Sequence, residues 1–241
     1  MRQKNKHIQM QYYEKTANQY DKMHLKPKDE NYVSLDYISM FIDLLSISSV
    51  LDIGCGTGRG VKFFLERYPS IKVHGIDPVQ KLLSKAEQKG IPSDILTRGN
   101  GYSLPFRDGS FDVVCTLGVL HHVKYPNKVV KEMLRVANKA VFIADGNRFG
   151  QGSKVVRVVK LLLYKTGLWG VVNFIKTGGK GYTVSEDDGL AYSYSVFDSY
   201  QLLARWADRI IFIPTKRSND IASWFHPLLT ADCIMICAIR D

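Results

Sequence analysis

The sequence predicts an α/β protein: a seven-stranded, mostly parallel sheet with helices on both faces. Three observations point there. From residue 50 to residue 144, short apolar runs alternate with stretches of helical periodicity, the pattern of strand–crossover–strand units. The residues that follow those runs, 54–58, 77, 100–101, 118–122 and 145–147, are mostly glycine or polar, and such a sheet binds its ligands at these positions, outside the carboxyl ends of the strands. Finally, 241 residues with 45% hydrophobic and 23% charged content suit a single domain with an elaboration and are too few for two enzyme domains.

The elements follow in order. A polar, tyrosine-rich arm leads into a helix over residues 35–45, and residues 1–45 are read together as arm and helix. Strands are expected at 50–53, 72–76, 94–97, 111–117 and 140–144, with helices at 60–68, 79–89 and 127–137 between them. Residues 151–194 break this rhythm. They contain an apolar, basic helix at 153–164, a second apolar piece at 169–175 and a run with Gly178, Gly179 and Gly181, read as a cap inserted over the site. A helix at 196–207 starts with Ser195 and Asp198 in capping-box spacing. Strands at 210–214 and 233–239 complete the seven.

The most informative stretch is Val50 to Gly58, VLDIGCGTG, a buried strand ending in an acid followed by a glycine turn that opens a helix. A dinucleotide fingerprint needs a third glycine where Arg59 or Val61 stands, and no Gly-Lys-Ser/Thr closes a phosphate loop. What remains is Asp52 with Gly54, Gly56 and Gly58, which lets the backbone approach a ligand closely beside one carboxylate. Asp77 ends the second strand in Gly75-Ile76-Asp77-Pro78. A carboxylate there can accept from both hydroxyls of a ribose or cap the next helix.

The glycine turn resembles motif I of the class I S-adenosylmethionine-dependent methyltransferases. Residues 98–112, RGNGYSLPFRDGSFD, are similar to the same family's G-D-A-x-x-L-P-F-x-D-x-S-F-D stretch. The resemblance covers residues 12–145 and the terminal strands in outline. It implies a Rossmann-like sheet with an antiparallel last strand, S-adenosyl-L-methionine as cofactor and S-adenosyl-L-homocysteine as product. It further implies that Asp77 and Pro78 flank the ribose and that Asp52 faces the cofactor's ammonium group. Asn100 stands where the family has an acid toward the adenine amino group, and its amide oxygen can still accept; Gly101 offers a backbone N–H. Leu117 closes the fourth strand beside the cofactor, and Tyr20, with Tyr12 and Tyr13, resembles the arm that closes over it.

On the acceptor side, His121 and His122 follow the fourth strand and Asp145 ends the fifth. A histidine can take a proton near neutral pH as a hydroxyl nucleophile is methylated. His121 is the preferred base, Asp145 its orienting acid, and His122 the alternative that packs away. His226, beside Trp224 and Phe225, is a third candidate. Metal-dependent relatives place acids where this chain has histidine, so no metal is expected.

The formal charge of +10 admits an anionic partner. Residues 147–185 hold seven Lys/Arg and no acid. The leading reading is O-methylation of a small hydroxylated metabolite or sugar. A tRNA-modifying methyltransferase is the alternative, and a peripheral membrane contact through residues 153–164 is a further partner. No targeting segment or apolar run of spanning length is evident, and the four cysteines lack metal-ligand spacing, so a cytoplasmic protein with reduced thiols is expected.

Overall fold

The computed structural model describes residues 2–217 and 230–241. Seven strands form one sheet: β1 (Ser49–Ile53), β2 (Lys72–Asp77), β3 (Leu96–Arg98), β4 (Phe111–Leu117), β5 (Ala137–Gly146), β8 (Arg209–Arg217) and β9 (Ala231–Ile239). Their spatial order is β3-β2-β1-β4-β5-β9-β8. The first five are parallel, and β9 inserts antiparallel between β5 and β8. The expected seven strands and antiparallel last strand are all present. Strand order reverses between β1 and β4, so their carboxyl ends diverge into a crevice.

Helices α3 (Glu30–Leu44), α4 (Arg59–Arg67) and α5 (Gln80–Gln88) cover one face. Leu35, Ile38, Val61, Phe64 and Leu83 pack there against Val50, Val113 and Phe142. On the other face lie α6 (Pro126–Val136) and α9 (Tyr200–Trp206), where Val130, Met133 and Leu203 meet Leu51, Val114, Val141 and Ile236. Alternate residues of β1, β4 and β5 therefore serve opposite cores, as a sheet buried on both sides requires.

Three expectations need adjustment. The strand at 94–97 begins only at Leu96, because Ser93–Ile95 forms a 3₁₀ turn after Pro92. The helix at 196–207 is a 3₁₀ turn, Val196–Ser199, continued by α9. Its capping box is present, with the Ser195 N–H donating to Asp198 at 3.0 Å. The inserted segment contains α7 (Lys154–Lys165), α8 (Trp169–Lys176) and an unanticipated hairpin, β6 (Tyr182–Ser185) with β7 (Gly189–Tyr192). The arm is itself helical, as α1 (Arg2–Thr16) and α2 (Tyr20–His24).

Candidate active site

The glycine turn is shaped by contacts that exclude side chains. Gly54 and Gly56 have φ of 75° and 55°, a region open to glycine and strained for most other residues. A Cβ on Gly54 would lie 2.6 Å from Val119, and one on Gly56 would lie 3.1 Å from the Tyr20 hydroxyl. The turn is thus pressed between the loop after β4 and the N-terminal arm. Asp77 locks it from β2: one carboxylate oxygen accepts from the Gly56 N–H at 3.0 Å, and the other from the Val79 N–H at 2.8 Å at the start of α5. Asp77 therefore ties the turn to Val79, the residue that opens α5, and each oxygen keeps a lone pair for a further donor.

Asp52 is 4% exposed and Asp77 6%. Burial pushes Asp52 up to about 7 and Asp77 up to about 6. Asp52 has a thiol, Cys115 Sγ at 3.9 Å, as its hydrogen-bond partner among the described residues. Two carboxylates at adjacent strand ends, one of them hydrogen-bonded among the described residues by a thiol, suit a ligand bearing an ammonium group and hydroxyls. The residues at the ends of β1 and β2 thus fit S-adenosylmethionine. The Asn100 side-chain oxygen accepts from the Tyr102 N–H at 3.0 Å, which stabilises its own loop and leaves one lone pair for a further donor. Gly101 packs against Val129, where a Cβ would stand 2.8 Å from that side chain.

Beyond the turn lies a cavity of about 890 Å³, whose wall includes Tyr13, Tyr20, Leu117, Gly118, His121, His122 and Asp145. Arg148, Lys160, Trp169 and Lys176 line its inserted side. Of the residues expected at the site, the structure groups His121, His122, Asp145, Leu117 and Tyr20 here. Asp52, Gly54, Gly56 and Asp77 form the adjoining strand-end cluster. Trp224, Phe225 and His226 lie outside the described residues.

His121 and His122 form a 3₁₀ turn after β4. Asp145 accepts from the His121 backbone N–H at 3.2 Å and lies 2.8 Å from its Nδ1. Burial alone would lower the His121 pKa, but Asp145 and then Asp188 overcome it and lift it to about 10. The same pairing keeps Asp145 below the usual carboxylate range despite its burial. His122 Nδ1 donates to the Leu190 carbonyl at 2.7 Å, and its Nε2 sits 3.0 Å from the Tyr13 hydroxyl.

Asp188 is the residue that the sequence reading missed. It lies in the loop of the β6–β7 hairpin, 3.3 Å from His121 Nε2 and 3.4 Å from His122 Nε2. The hairpin is clasped by α1. Gln9 donates to the Asp188 carbonyl at 3.2 Å and accepts from the Leu190 N–H at 2.5 Å, while the Tyr12 hydroxyl donates to the Glu186 carbonyl at 2.9 Å. The available signal was Asp188-Gly189, an acid–glycine pair of the kind that closes hairpins. Arg148, also unassigned from sequence, binds Asp198 at 2.6 Å and lies over Trp169, 5.1 Å from its ring centre. The Trp169 indole nitrogen is buried with no hydrogen-bond partner among the described residues, leaving a donor in the cavity wall.

Comparison with known proteins agrees with this geometry. A family model described as a methyltransferase domain matches residues 51–144. An uncharacterized methyltransferase of Schizosaccharomyces pombe is 34% identical over 104 residues, 39% of this chain and 37% of that protein. Human probable tRNA methyltransferase 9B is 34% identical over 92 residues, 37% of this chain and 19% of its own. The chain thus spans well under two-thirds of the curated relatives it matches. An S-adenosylmethionine-dependent methyltransferase structure from Thermotoga maritima superposes with a TM-score of 0.61 at 18% identity, over 97% of this chain and 100% of its own. That likeness concerns the fold. Residues 51–144 match the methyltransferase-domain family model, and the match stops before the inserted cap.

The clasp generates a prediction. Gln9→Ala should leave the sheet intact and loosen the hairpin, read as faster hydrogen exchange at the Leu190 amide with unchanged protection in β4 and β5. Equal protection at Leu190 in both proteins would contradict the clasp.

Proposed function

We propose that this protein transfers a methyl group from S-adenosylmethionine to a hydroxyl of a small acceptor, a hydroxylated metabolite or sugar, held in the cavity under the inserted cap. The observation that carries this reading is the juxtaposition of the strand-end cluster with a cavity walled by His121, His122, Asp145 and the cap. S-adenosylmethionine, when bound, supplies the electrophilic methyl group. Asp77 takes the ribose hydroxyls and Asp52 the ammonium. Leu117 and Gly118 floor the passage between the two halves. Tyr13 and Tyr20 close it from the arm and exclude water. The acceptor hydroxyl loses its proton at the His121–His122 pair, which Asp145 orients; because Asp145 and Asp188 lift His121 to about 10, His121 accepts only in its deprotonated form, and turnover through it rises with pH toward that value.

The cap favours a small molecule over tRNA. It covers the acceptor side of the cavity with Lys160, Trp169 and Lys176, and an RNA reader would need that side open as a basic groove. The outer face of the cap has its own chemistry. The sequence reading placed Lys154, Arg157 and Lys160 together on a lipid-facing side. The structure turns the last two inward: Arg157 is 6% exposed and donates to the Gly152 carbonyl at 2.7 Å, and Lys160 donates to the Gln151 carbonyl at 3.0 Å. Facing outward are Val155, Leu162, Phe174 and Ile175, at 73%, 58%, 61% and 72% exposure. Exposed Lys165 and Lys176 end the two helices, and exposed Lys180 follows in the turn beyond α8. Such a surface fits the interface of an anionic bilayer, and a lipid-linked acceptor would reach the cavity from there. No helix among the described residues is long and apolar enough to cross a membrane.

Three outcomes test this. S-adenosylhomocysteine affinity, measured calorimetrically, should fall as pH drops below about 7 and more steeply below about 6, because protonated Asp52 no longer pairs with the ammonium and protonated Asp77 no longer accepts from both hydroxyls. Each carboxylate contributes up to roughly tenfold per pH unit, and Asp77→Asn should remove the lower step and leave the Asp52 step, as well as weaken binding. With methyl-labelled cofactor and an extract as acceptor pool, label should enter small or lipid-extractable molecules. His121→Ala should cut incorporation by about 10²–10⁴-fold with homocysteine-product affinity retained; equal loss of both would remove His121 from the acceptor side, and label in RNA would favour the tRNA reading. Finally, the protein should pellet with phosphatidylglycerol vesicles and stay in solution with phosphatidylcholine ones. A Val155→Glu/Phe174→Glu variant that pellets equally well would exclude the cap as the contact.

A further inference from the structure

We propose that His121, His122 and Asp188 form a binding site for one divalent first-row transition-metal ion at the acceptor end of the cavity. One nitrogen of each imidazole and the Asp188 carboxylate lie within 4.8 Å of one another. The two Nε2 atoms approach that carboxylate at 3.3 and 3.4 Å. Two donors each about 2.1 Å from a common ion, at the angles of octahedral or tetrahedral coordination, stand roughly 3.0–3.4 Å apart. The spacing is therefore already that of ligands around an ion.

The opposite side of each ring gives independent support. A metal-ligating histidine donates its other N–H to a carboxylate or backbone carbonyl, which fixes the ring and frees the remaining nitrogen to coordinate. Both histidines have that partner: Asp145 is 2.8 Å from His121 Nδ1, and the Leu190 carbonyl is 2.7 Å from His122 Nδ1. The two Nε2 atoms are thereby aimed into one space from adjacent residues, with ring centres 3.9 Å apart. The Tyr13 hydroxyl, 3.0 Å from His122 Nε2, is the group that must turn aside for an ion to enter. Two imidazoles and one carboxylate suit manganese, iron, cobalt or zinc, and they leave coordination positions open.

The use of the ion rests on the methyl-transfer reading. Its site adjoins Gly118 and Leu117, where the acceptor hydroxyl would stand. With the ion bound, both Nε2 atoms are ligands and neither takes the acceptor's proton; the ion would act instead as a Lewis acid that lowers the hydroxyl's pKa, so that its proton leaves to water as the oxygen is methylated. The sequence pattern argued against a metal because histidine stands where metal-dependent relatives place an acid, with Asp145 as one acid alongside. The second arrives from 67 residues downstream on the hairpin.

The test uses the full chain. Mn²⁺ titration followed by electron paramagnetic resonance, and Co²⁺ titration followed by visible absorption, should each saturate at one ion per chain. Asp188 sits in a partly exposed loop, so Asp188→Asn should fold and lose roughly tenfold or more in ion affinity; Asp145→Asn should lose about 10–100-fold through the ring it orients. Tyr13→Phe should bind the ion at least as tightly as the parent. Absence of saturable binding, or equal binding by Asp188→Asn, overturns the site. S-adenosylhomocysteine affinity with and without chelator is measured on the same samples. Retained cofactor-product binding without metal binding removes the metal site alone, and metal binding without cofactor-product binding removes the methyl-transfer reading alone.

Discussion

Everything at this site depends on two carboxylates held at the ends of neighbouring parallel strands with too few partners of their own. Asp52 lies opposite Gly75, and Asp77 ends the same β2 strand two residues on. Each is pushed upward by burial, so between the ordinary carboxylate pKa near 3.8 and the folded values of about 7 and 6 the folded chain holds protons that an unfolded chain would release. Stability contributed by these groups therefore falls as pH rises through that window. A ligand that brings an ammonium group and a diol offsets the deficit. The frame is thus tuned for an occupant at some expense to itself, a common bargain at functional sites.

The acceptor side depends on contacts far apart in sequence. Gln9 and Tyr12 hold the hairpin that carries Asp188, and Thr57 and Lys89 hold the arm by its Asp21, at 2.6 and 2.5 Å. Arg59, the first residue of α4, binds Asp29, the N-cap of α3, at 2.7 Å. The arm, the glycine turn and the hairpin consequently form a single hydrogen-bonded chain around the crevice. A change in one is felt by the others through specific bonds and not through general flexibility.

The sheet was legible because each strand is apolar and each crossover has a helical period, and the glycine turn because only glycine tolerates its backbone and its neighbours. The hairpin was not. Tyr182–Ser185 is four residues long with no sustained alternation, and three glycines precede it. Among Glu186, Asp187 and Asp188, spacing alone does not say which acid turns inward; that is decided by the Gln9 clasp, 179 residues away from Asp188. Asn100 was read by analogy with an acid at the same place; an amide also bonds its own backbone readily, and here it does so while keeping a lone pair for a further donor.

The cap shows why periodicity identified a helix and reversed its orientation. Residues 154, 157 and 160 share a face at helical spacing, and cations are ordinarily expected outside. In α7 that face meets backbone carbonyls of the preceding turn: Arg157 donates to Gly152, and Lys160 to Arg148 and Gln151. Those bonds turn the cations inward and leave the valines and leucines outward. A helix so arranged gains nothing from its apolar side while that side faces water. Under the proposed function the inner lining would take the polar end of an acceptor and the outer face would lie against hydrocarbon, so that one segment would match both halves of an amphiphilic molecule. This division of faces links the basic, acid-free composition of residues 147–185 to the cavity beneath them.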